Sequence, residues 1–73
     1  MPLIEVKLIE EVFTPAQKKK MIRKLTDAMV AIEGENMSSV TTVIVEEVRS
    51  GDWGIGGQAM STDAVRALVA GKK

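Results

Sequence analysis

The 73-residue chain contains no histidine, no cysteine and no tyrosine, and it has one tryptophan and one phenylalanine. Without cysteine it can form neither disulfides nor thiolate metal sites. Without histidine only scattered carboxylates remain as metal ligands, so we expect no metal site. The same absences remove the usual neutral-pH base and the usual strong nucleophile. Proton-transfer chemistry in this chain would therefore need an unusual base.

Neither sign of charge is in excess, because ten basic and ten acidic residues cancel. Nucleic-acid-binding domains usually carry a basic excess, so we expect no nucleic-acid partner. Acidic residues interrupt the N-terminus from Glu5 onward, which is unlike a secretory signal. No apolar run approaches the roughly 20 residues of a transmembrane helix. We therefore expect a cytoplasmic protein without a membrane partner.

The length predicts a single small domain over residues 1–73. A chain of this size buries only about 60% of its unfolded surface and is marginal as a monomer. Disulfides and metals are excluded above, so oligomerisation is the remaining means of stabilisation. Hydrophobic residues make up 45% of the chain, which is consistent with an aliphatic core that continues across contacts in a homo-oligomer.

The hydrophobic pattern predicts a β-α-β unit. Partial alternation over residues 3–9 indicates a strand buried on much of both faces. Thr14 is a helix N-cap and Gln17 completes a capping box, so we expect a helix over residues 15–33. Residues 40–45 are rich in β-branched side chains and predict a second strand. This order favours a parallel strand pair with a right-handed crossover, in an α+β fold.

One side of the predicted helix is apolar. Residues at helical spacing fall within an arc of roughly 120°: Met21, Ile22, Leu25, Ala28, Met29 and Ile32. Lys19, Lys20, Arg23 and Asp27 lie on the opposite side. We therefore interpret Arg23 as a solvated surface charge.

The C-terminal part combines a glycine-dense segment with a short helix. Gly54-x-Gly56-Gly57 opens onto no long helix and lacks the Lys-Ser/Thr of a phosphate-binding loop. We interpret it as a tight hairpin that holds Trp53 and Ile55 as a wall beside a pocket, or that pairs with a neighbouring subunit. Residues 61–63 then cap a predicted short helix over residues 64–70.

Pro2 is the candidate base. If Met1 is removed, which a small second residue permits, Pro2 becomes an N-terminus with a secondary amine. An apolar site formed with Leu3, Ile9, Trp53 and Ile55 would disfavour the ammonium form and lower the pKa of this amine. A base poised near neutrality suits proton abstraction next to a carbonyl. The structural alternative is that Pro2 only begins the chain before an edge strand.

Several segments in one order over residues 2–57 carry a family resemblance: Pro2, Thr14-Pro15-x-Gln17-Lys18, Met21-Ile22-Arg23, Val45-Glu46-Glu47 and Gly51-Asp52-Trp53-Gly54-Ile55-Gly56-Gly57. Together they resemble the 4-oxalocrotonate tautomerase family. The resemblance implies a β-α-β subunit with a C-terminal β-hairpin, here followed by a short terminal helix. It also implies a hexamer built from dimers, with a trimer or dimer as alternatives. The implied activity is a cofactor-free keto–enol tautomerisation of a small 2-oxo or 2-hydroxydienoic acid.

The resemblance also implies roles for individual residues. Pro2 would act as general base and general acid. The backbone near Ile9 would help to seat the substrate, Trp53 would occupy the aromatic pocket position, and Ile55 would be its apolar neighbour. No metal or other cofactor takes part in this scheme.

Two family arginines are missing. Well-known members carry one just after the first strand, where this chain has Glu11-Val12, and one early in the second strand, where it has Thr41. Those arginines bind and polarise a dicarboxylate substrate. Arg49, beside the glycine loop, and Arg66, on the final helix, are the remaining candidates to bind a carboxylate bidentately. Both could equally be solvated charges. Lys7 is a further candidate cation beside Pro2, although the plainer interpretation is a strand residue paired with Glu5.

Other functions remain open at this stage. A hydratase or dehalogenase of the same superfamily would need arginines at the positions where this chain lacks them. A non-catalytic oligomeric module would keep Met1 attached and use its strands only for assembly. A ribbon-type DNA binder is disfavoured by the zero net charge and by the second strand.

Overall fold

A computed structural model describes residues 1–71 of the chain. Its elements, in chain order, are β1 (Leu3–Ile9), α1 (Pro15–Glu33), a 3₁₀ helix (Glu35–Val40), β2 (Thr42–Val48), β3 (Trp53–Ile55), β4 (Gln58–Met60) and α2 (Thr62–Val69). This order confirms the predicted α+β fold with a β-α-β unit, a hairpin and a short terminal helix. Within the described part of the chain, neither α-helix combines the length and apolarity needed to cross a membrane.

β1 and β2 form a two-stranded parallel sheet. At one end the amide of Thr42 donates to the carbonyl of Pro2 at 3.1 Å, and at the other the amide of Glu10 donates to the carbonyl of Val48 at 2.8 Å. Because the strand starts pair with each other and so do the strand ends, the strands run in the same direction, with α1 in the connection between them.

Contacts divide the chain into two compact units. One unit comprises Met1–Val6 and Thr14–Glu46, and the other comprises Lys7–Phe13 and the chain from Glu47 onward. The single-domain prediction over residues 1–73 stays a prediction, and residues 72 and 73 lie outside the described part.

The start and end of α1 follow the sequence prediction. The hydroxyl of Thr14 accepts a hydrogen bond from the amide of Gln17 at 3.1 Å, and the side-chain oxygen of Gln17 accepts from the amide of Thr14 at 2.8 Å. This is the predicted capping box. Gly34 ends the helix with φ 103°, and its amide donates to the carbonyl of Val30 at 2.8 Å.

The covered side of α1 differs from the apolar side that the sequence predicts. Val30, which lies outside the predicted set, is the buried residue of the helix. Ala28 is exposed and Ile32 is 84% exposed, although both belong to that set. The covered side is rotated toward Thr26 and Glu33, which are partly buried. Burial follows the neighbours that tertiary packing supplies, and hydrophobic periodicity alone does not specify them.

The two strands of the parallel sheet also depart from expectation. β1 alternates between exposed and partly covered residues before it ends at the buried Ile9. Leu3 is 54% exposed in the single chain. The prediction that β1 is buried on much of both faces is therefore wrong for the start of this strand. β2 occupies Thr42–Val48, whereas residues 40–45 were predicted. It continues through glutamates 46 and 47 because their side chains are exposed and need no burial.

Replacing Thr14 by alanine tests the capping box. The substitution removes the oxygen that accepts from the Gln17 amide, so we expect the free energy of unfolding to fall by about 1 kcal/mol. Urea unfolding at fixed protein concentration measures the change. Thr14→Ser keeps the acceptor and should remain close to wild type, and an equal loss in both variants would contradict this assignment.

Candidate functional site

An apolar cavity of about 260 Å³ lies within the unit formed by residues 7–13 and the chain from residue 47 onward. It is lined by Lys7, Leu8, Ile9, Phe13, Trp53, Ile55, Met60, Val65 and Leu68. All of these residues except Lys7 are apolar. Cavities with such a lining bind the apolar part of a small molecule, and a few polar groups orient it.

Three of the site residues predicted from the sequence meet in this cavity. Ile9 is 5% exposed, Trp53 is partly buried and Ile55 is 59% exposed, and all three line the wall. The predicted Arg49 and Arg66 are not among the lining residues. Sequence reasoning therefore located the apolar part of the cavity, and Lys7, the further candidate cation, is also among the lining residues.

Other lining residues were missed. Phe13 lies in the bend before α1 and Met60 ends the three-residue strand β4, so neither belongs to a segment long enough to give a periodic signal. Val65 and Leu68 are three residues apart on α2, so they share a helix face. That spacing could have indicated a buried side of α2, but it could not show which residues the side contacts.

The hairpin of β3 and β4 presents Trp53 to the cavity. The strands pair antiparallel, with Trp53 opposite Met60 and Ile55 opposite Gln58. Gly56 and Gly57 form the turn with φ values of 58° and 84°, a backbone conformation that glycine adopts readily and that two-residue hairpins favour. Trp53 and Met60 are cross-strand partners and both line the cavity. The hairpin interpretation of the glycine segment is confirmed.

The turn after β1 is held by bonds from distant parts of the chain. Glu11 has φ 61°, which is a left-handed conformation that costs a residue with a side chain about 1 kcal/mol or more. Its amide donates to the Glu47 carboxylate at 3.3 Å. Its carbonyl accepts from Nε of Arg66 at 2.8 Å and also from Nη2 of Arg66. These bonds stabilise the turn in spite of its backbone strain.

The first turn of α2 is fastened to the same segment. Thr62 is 6% exposed, and its hydroxyl donates to the carbonyl of Glu10 at 2.8 Å. The Thr62 amide donates to the hydroxyl of Ser50 at 2.9 Å, and the Ser50 amide donates to the Glu10 carboxylate at 2.9 Å. Ser61 is the N-cap and accepts from the amide of Ala64 at 3.2 Å. The helix therefore begins at Thr62. The sequence predicted a start at residue 64, so that bound is corrected by two residues.

The arginines occupy different environments. Arg66 uses Nε and Nη2 for the carbonyl of Glu11, which leaves Nη1 for other acceptors. Arg49 is exposed. Arg23 pairs with Asp27 at 2.5 Å, with the two side chains 67% and 61% exposed. The exposure of its side chain confirms that Arg23 is a surface charge. Exposed pairs of this kind contribute little to stability.

The Thr41 side chain forms hydrogen bonds within the chain. Its hydroxyl lies 2.8 Å from the carbonyl of Met37 and also contacts the carboxylate of Glu33. These contacts connect the end of α1, the 3₁₀ helix and the start of β2. The side chain therefore has a structural role.

Pro2 lies in the other unit, which comprises residues 1–6 and 14–46. It is partly buried, and its carbonyl accepts the Thr42 amide at 3.1 Å in the first rung of the parallel sheet. Met1 is 89% exposed. The backbone at Pro2 is therefore held in the sheet, while the residue before it is accessible to an aminopeptidase.

Comparisons with known proteins agree with this fold. A family model described as a tautomerase enzyme matches residues 2–63. The chain is 34% identical over 61 residues to a probable tautomerase of Dickeya dadantii, covering 84% of this chain and 90% of that protein. It is 40% identical over 57 residues to a 2-hydroxymuconate tautomerase of Pseudomonas putida, covering 78% of this chain and 87% of the relative. Among solved structures it is similar to 4-oxalocrotonate tautomerase isozymes from Methylibium petroleiphilum, with 34% identity and a TM-score of 0.70, over 88% of this chain and 97% of theirs.

Replacing Thr62 by valine tests the attachment of α2. The variant keeps the side-chain shape but leaves the carbonyl of Glu10 without its hydroxyl donor, so we expect a loss of about 1–3 kcal/mol in the free energy of unfolding. Urea unfolding provides the measurement. Thr42→Val makes the same change at an exposed strand position and should have little effect. Equal losses in the two variants would show that the Thr62 bond contributes nothing specific.

Proposed function

Because the chain belongs to the tautomerase family, we propose that it catalyses the keto–enol tautomerisation of a small 2-oxo or 2-hydroxydienoic acid. The observation that carries the proposal is the family match, which begins at Pro2 and extends to Asp63. The relative named as a 2-hydroxymuconate tautomerase supports a 2-hydroxydienoic acid as the substrate class.

The proposed base is the secondary amine of Pro2 after removal of Met1. The amine takes a proton from the carbon next to the carbonyl, the electrons of that C–H bond form a carbon–carbon double bond, and the π electrons of the carbonyl move to its oxygen, which gives an enolate. The protonated amine returns the proton to another carbon of the conjugated enolate as the carbonyl forms again; when the substrate is the enol, the amine takes the proton from its hydroxyl group. Oxidation states balance within the substrate, so this scheme needs no cofactor. The hydrogen bond from the Thr42 amide to the Pro2 carbonyl supports the role, because it limits the positions open to the nitrogen.

The proposed substrate contacts are of two kinds, apolar side chains and arginines. Ile9, Trp53 and Ile55 would contact the apolar part of the substrate, which agrees with their place in one cavity. Arg49 and Arg66 are the proposed partners of the carboxylate. For Arg66 this role is compatible with its bonds to Glu11, because Nη1 is not used in them.

The proposed assembly is a cytoplasmic homohexamer, with a trimer or dimer as alternatives. Large apolar side chains that are exposed in the single chain support self-association: Leu3 is 54%, Ile32 is 84% and Ile44 is 41% exposed. Leu3 and Ile44 are on the two strands of the parallel sheet, whose outward positions would otherwise meet water. Covering them with another subunit would add hydrophobic stabilisation that a chain of this size lacks.

The assembly is tested by native mass spectrometry. We expect the wild-type protein to have six times the subunit mass, and Ile44→Glu to shift it toward smaller species, because a charge in an apolar contact is costly to bury. Lys19→Glu changes an exposed residue on the polar side of α1 and should keep the wild-type mass. A monomeric wild type would overturn the proposed assembly.

The role of Pro2 is tested by intact mass and by kinetics on one purified sample. We expect the mass to lack Met1 and the enol of phenylpyruvate or 2-hydroxymuconate to be ketonised. Pro2→Ala keeps a terminal amine but changes its basicity and position, so kcat/KM should fall at least about tenfold, which is less than the roughly 10²–10⁴-fold contribution of a whole general base because an amine remains.

The chain's other proline supplies the control. Pro15→Ala alters the first residue of α1 and should keep wild-type kcat/KM. An equally active Pro2→Ala protein would exclude the proline mechanism. Retained Met1 together with no turnover would instead favour the non-catalytic oligomeric module. Hydration or dehalogenation of an unsaturated acid without ketonisation would favour the other enzyme class.

A further inference from the structure

α2 belongs to the cavity although it lies largely outside the family match. The match ends at residue 63, whereas α2 spans Thr62–Val69. Val65 and Leu68 nevertheless line the cavity together with Trp53 of the hairpin. Because these two residues are three apart, one face of the helix supplies both contacts.

Two other residues of α2 fix the helix in place. Thr62 and Arg66 are four residues apart, and they donate to the carbonyls of Glu10 and Glu11. Those carbonyls directly follow Ile9, which is 5% exposed and also lines the cavity. The helix is therefore attached to the main chain directly after a lining residue of β1, and this attachment uses neither Val65 nor Leu68.

Leu68 lies at the rim of the cavity. It is among the lining residues, yet it is 62% exposed. The next residue, Val69, is 67% exposed and is not among the lining residues. The two side chains are therefore a matched pair on one helix, similar in exposure and chemistry but different in their relation to the cavity.

We propose that α2 is a built-in wall of the apolar cavity and that the Leu68 side chain limits the length of the apolar substituent carried by the substrate. The substituent that reaches Leu68 is uncharged, aryl or alkyl, because the hairpin and α2 line the cavity with apolar side chains, against which a second carboxylate would lose its hydration. The inference rests on the proposed tautomerase function only in naming the substrate as a 2-oxo acid in its enol form.

Ligand binding tests the wall without any turnover. Trp53 is the only tryptophan and the chain has no tyrosine, so its fluorescence reports directly on the cavity. Phenylacetate, 3-phenylpropionate and 4-phenylbutyrate are probes of increasing length that cannot tautomerise. Leu68→Ala should improve the affinity for the longest probe relative to the shortest by at least about threefold, as expected when space opens for one methylene group.

Two further variants act as controls. Val69→Ala should leave the ratio of affinities at its wild-type value, and Leu68→Met, which nearly conserves volume, should do the same. Circular dichroism and native mass verify that each variant is folded and assembled. An unchanged ratio in Leu68→Ala, or an equal change in Val69→Ala, would overturn the proposal. A change of subunit number in Leu68→Ala alone, with no change of ratio, would also overturn it by assigning Leu68 to a subunit contact.

Kinetics separate this inference from the proposed function. For the enols of phenylpyruvate and 2-oxo-5-phenylpentanoate, Leu68→Ala should raise the kcat/KM of the longer substrate relative to the shorter, again at least about threefold. Wild-type turnover with an unchanged ratio in Leu68→Ala would refute the wall and keep the tautomerase. A shifted ratio of probe affinities in a protein that ketonises neither enol would refute the tautomerase and support the wall as part of a carboxylic-acid binding site.

Discussion

The main-chain groups of Glu10 and Glu11 at the end of β1 are the junction on which the cavity-forming unit depends. The Glu10 amide bonds to the end of β2, and the carbonyls of Glu10 and Glu11 accept from Thr62 and Arg66 of α2. Ser50 joins the same group through the Glu10 carboxylate. Buried or partly buried main-chain groups need partners, and here the partners come from β2, from the loop after it and from α2. The cavity takes its lining from β1, the hairpin and α2, so its shape depends on these bonds.

The same junction places a positive charge beside the turn after β1. Glu11 adopts a left-handed conformation in this turn. Its carbonyl accepts from the guanidinium of Arg66, which lies 55 residues further along the chain. A positive charge is therefore present beside the turn, but α2 supplies it and a structural hydrogen bond holds it. The same helix contributes Val65 and Leu68 to the cavity. α2 therefore both stabilises the turn after β1 and forms part of the cavity lining.

The proposed chemistry is consistent with the composition of the chain. With neither histidine nor cysteine, a proton transfer at neutral pH needs a group outside the usual side chains, and an N-terminal proline amine is such a group. Ile9, Trp53 and Ile55 contribute to an apolar cavity as expected. The exposed apolar residues of the single chain fit the expectation that 73 residues need further copies to complete their burial.

Features that depend on a few neighbouring residues could be predicted from the sequence. The capping box of Thr14 and Gln17 and the glycine turn of the hairpin follow from local hydrogen bonds and from local φ values. The bounds of β1 and α1 are as predicted, and Trp53 and Ile55 are held on the hairpin beside a cavity.

Only the tertiary structure decided which side of α1 is covered, where β2 ends, and that α2 closes one side of the cavity. Thr62 and Glu10 are 52 residues apart, and Arg66 and Glu11 are 55 apart. No pattern of period 2 or 3.6 encodes a contact over such a separation. The sequence by itself determined the order of the main helices and strands, the bounds of β1 and α1, and which candidate base is available, because local hydrogen bonding and hydrophobic periodicity act between near neighbours. The tertiary structure decided which side chains meet, because that depends on how distant segments pack.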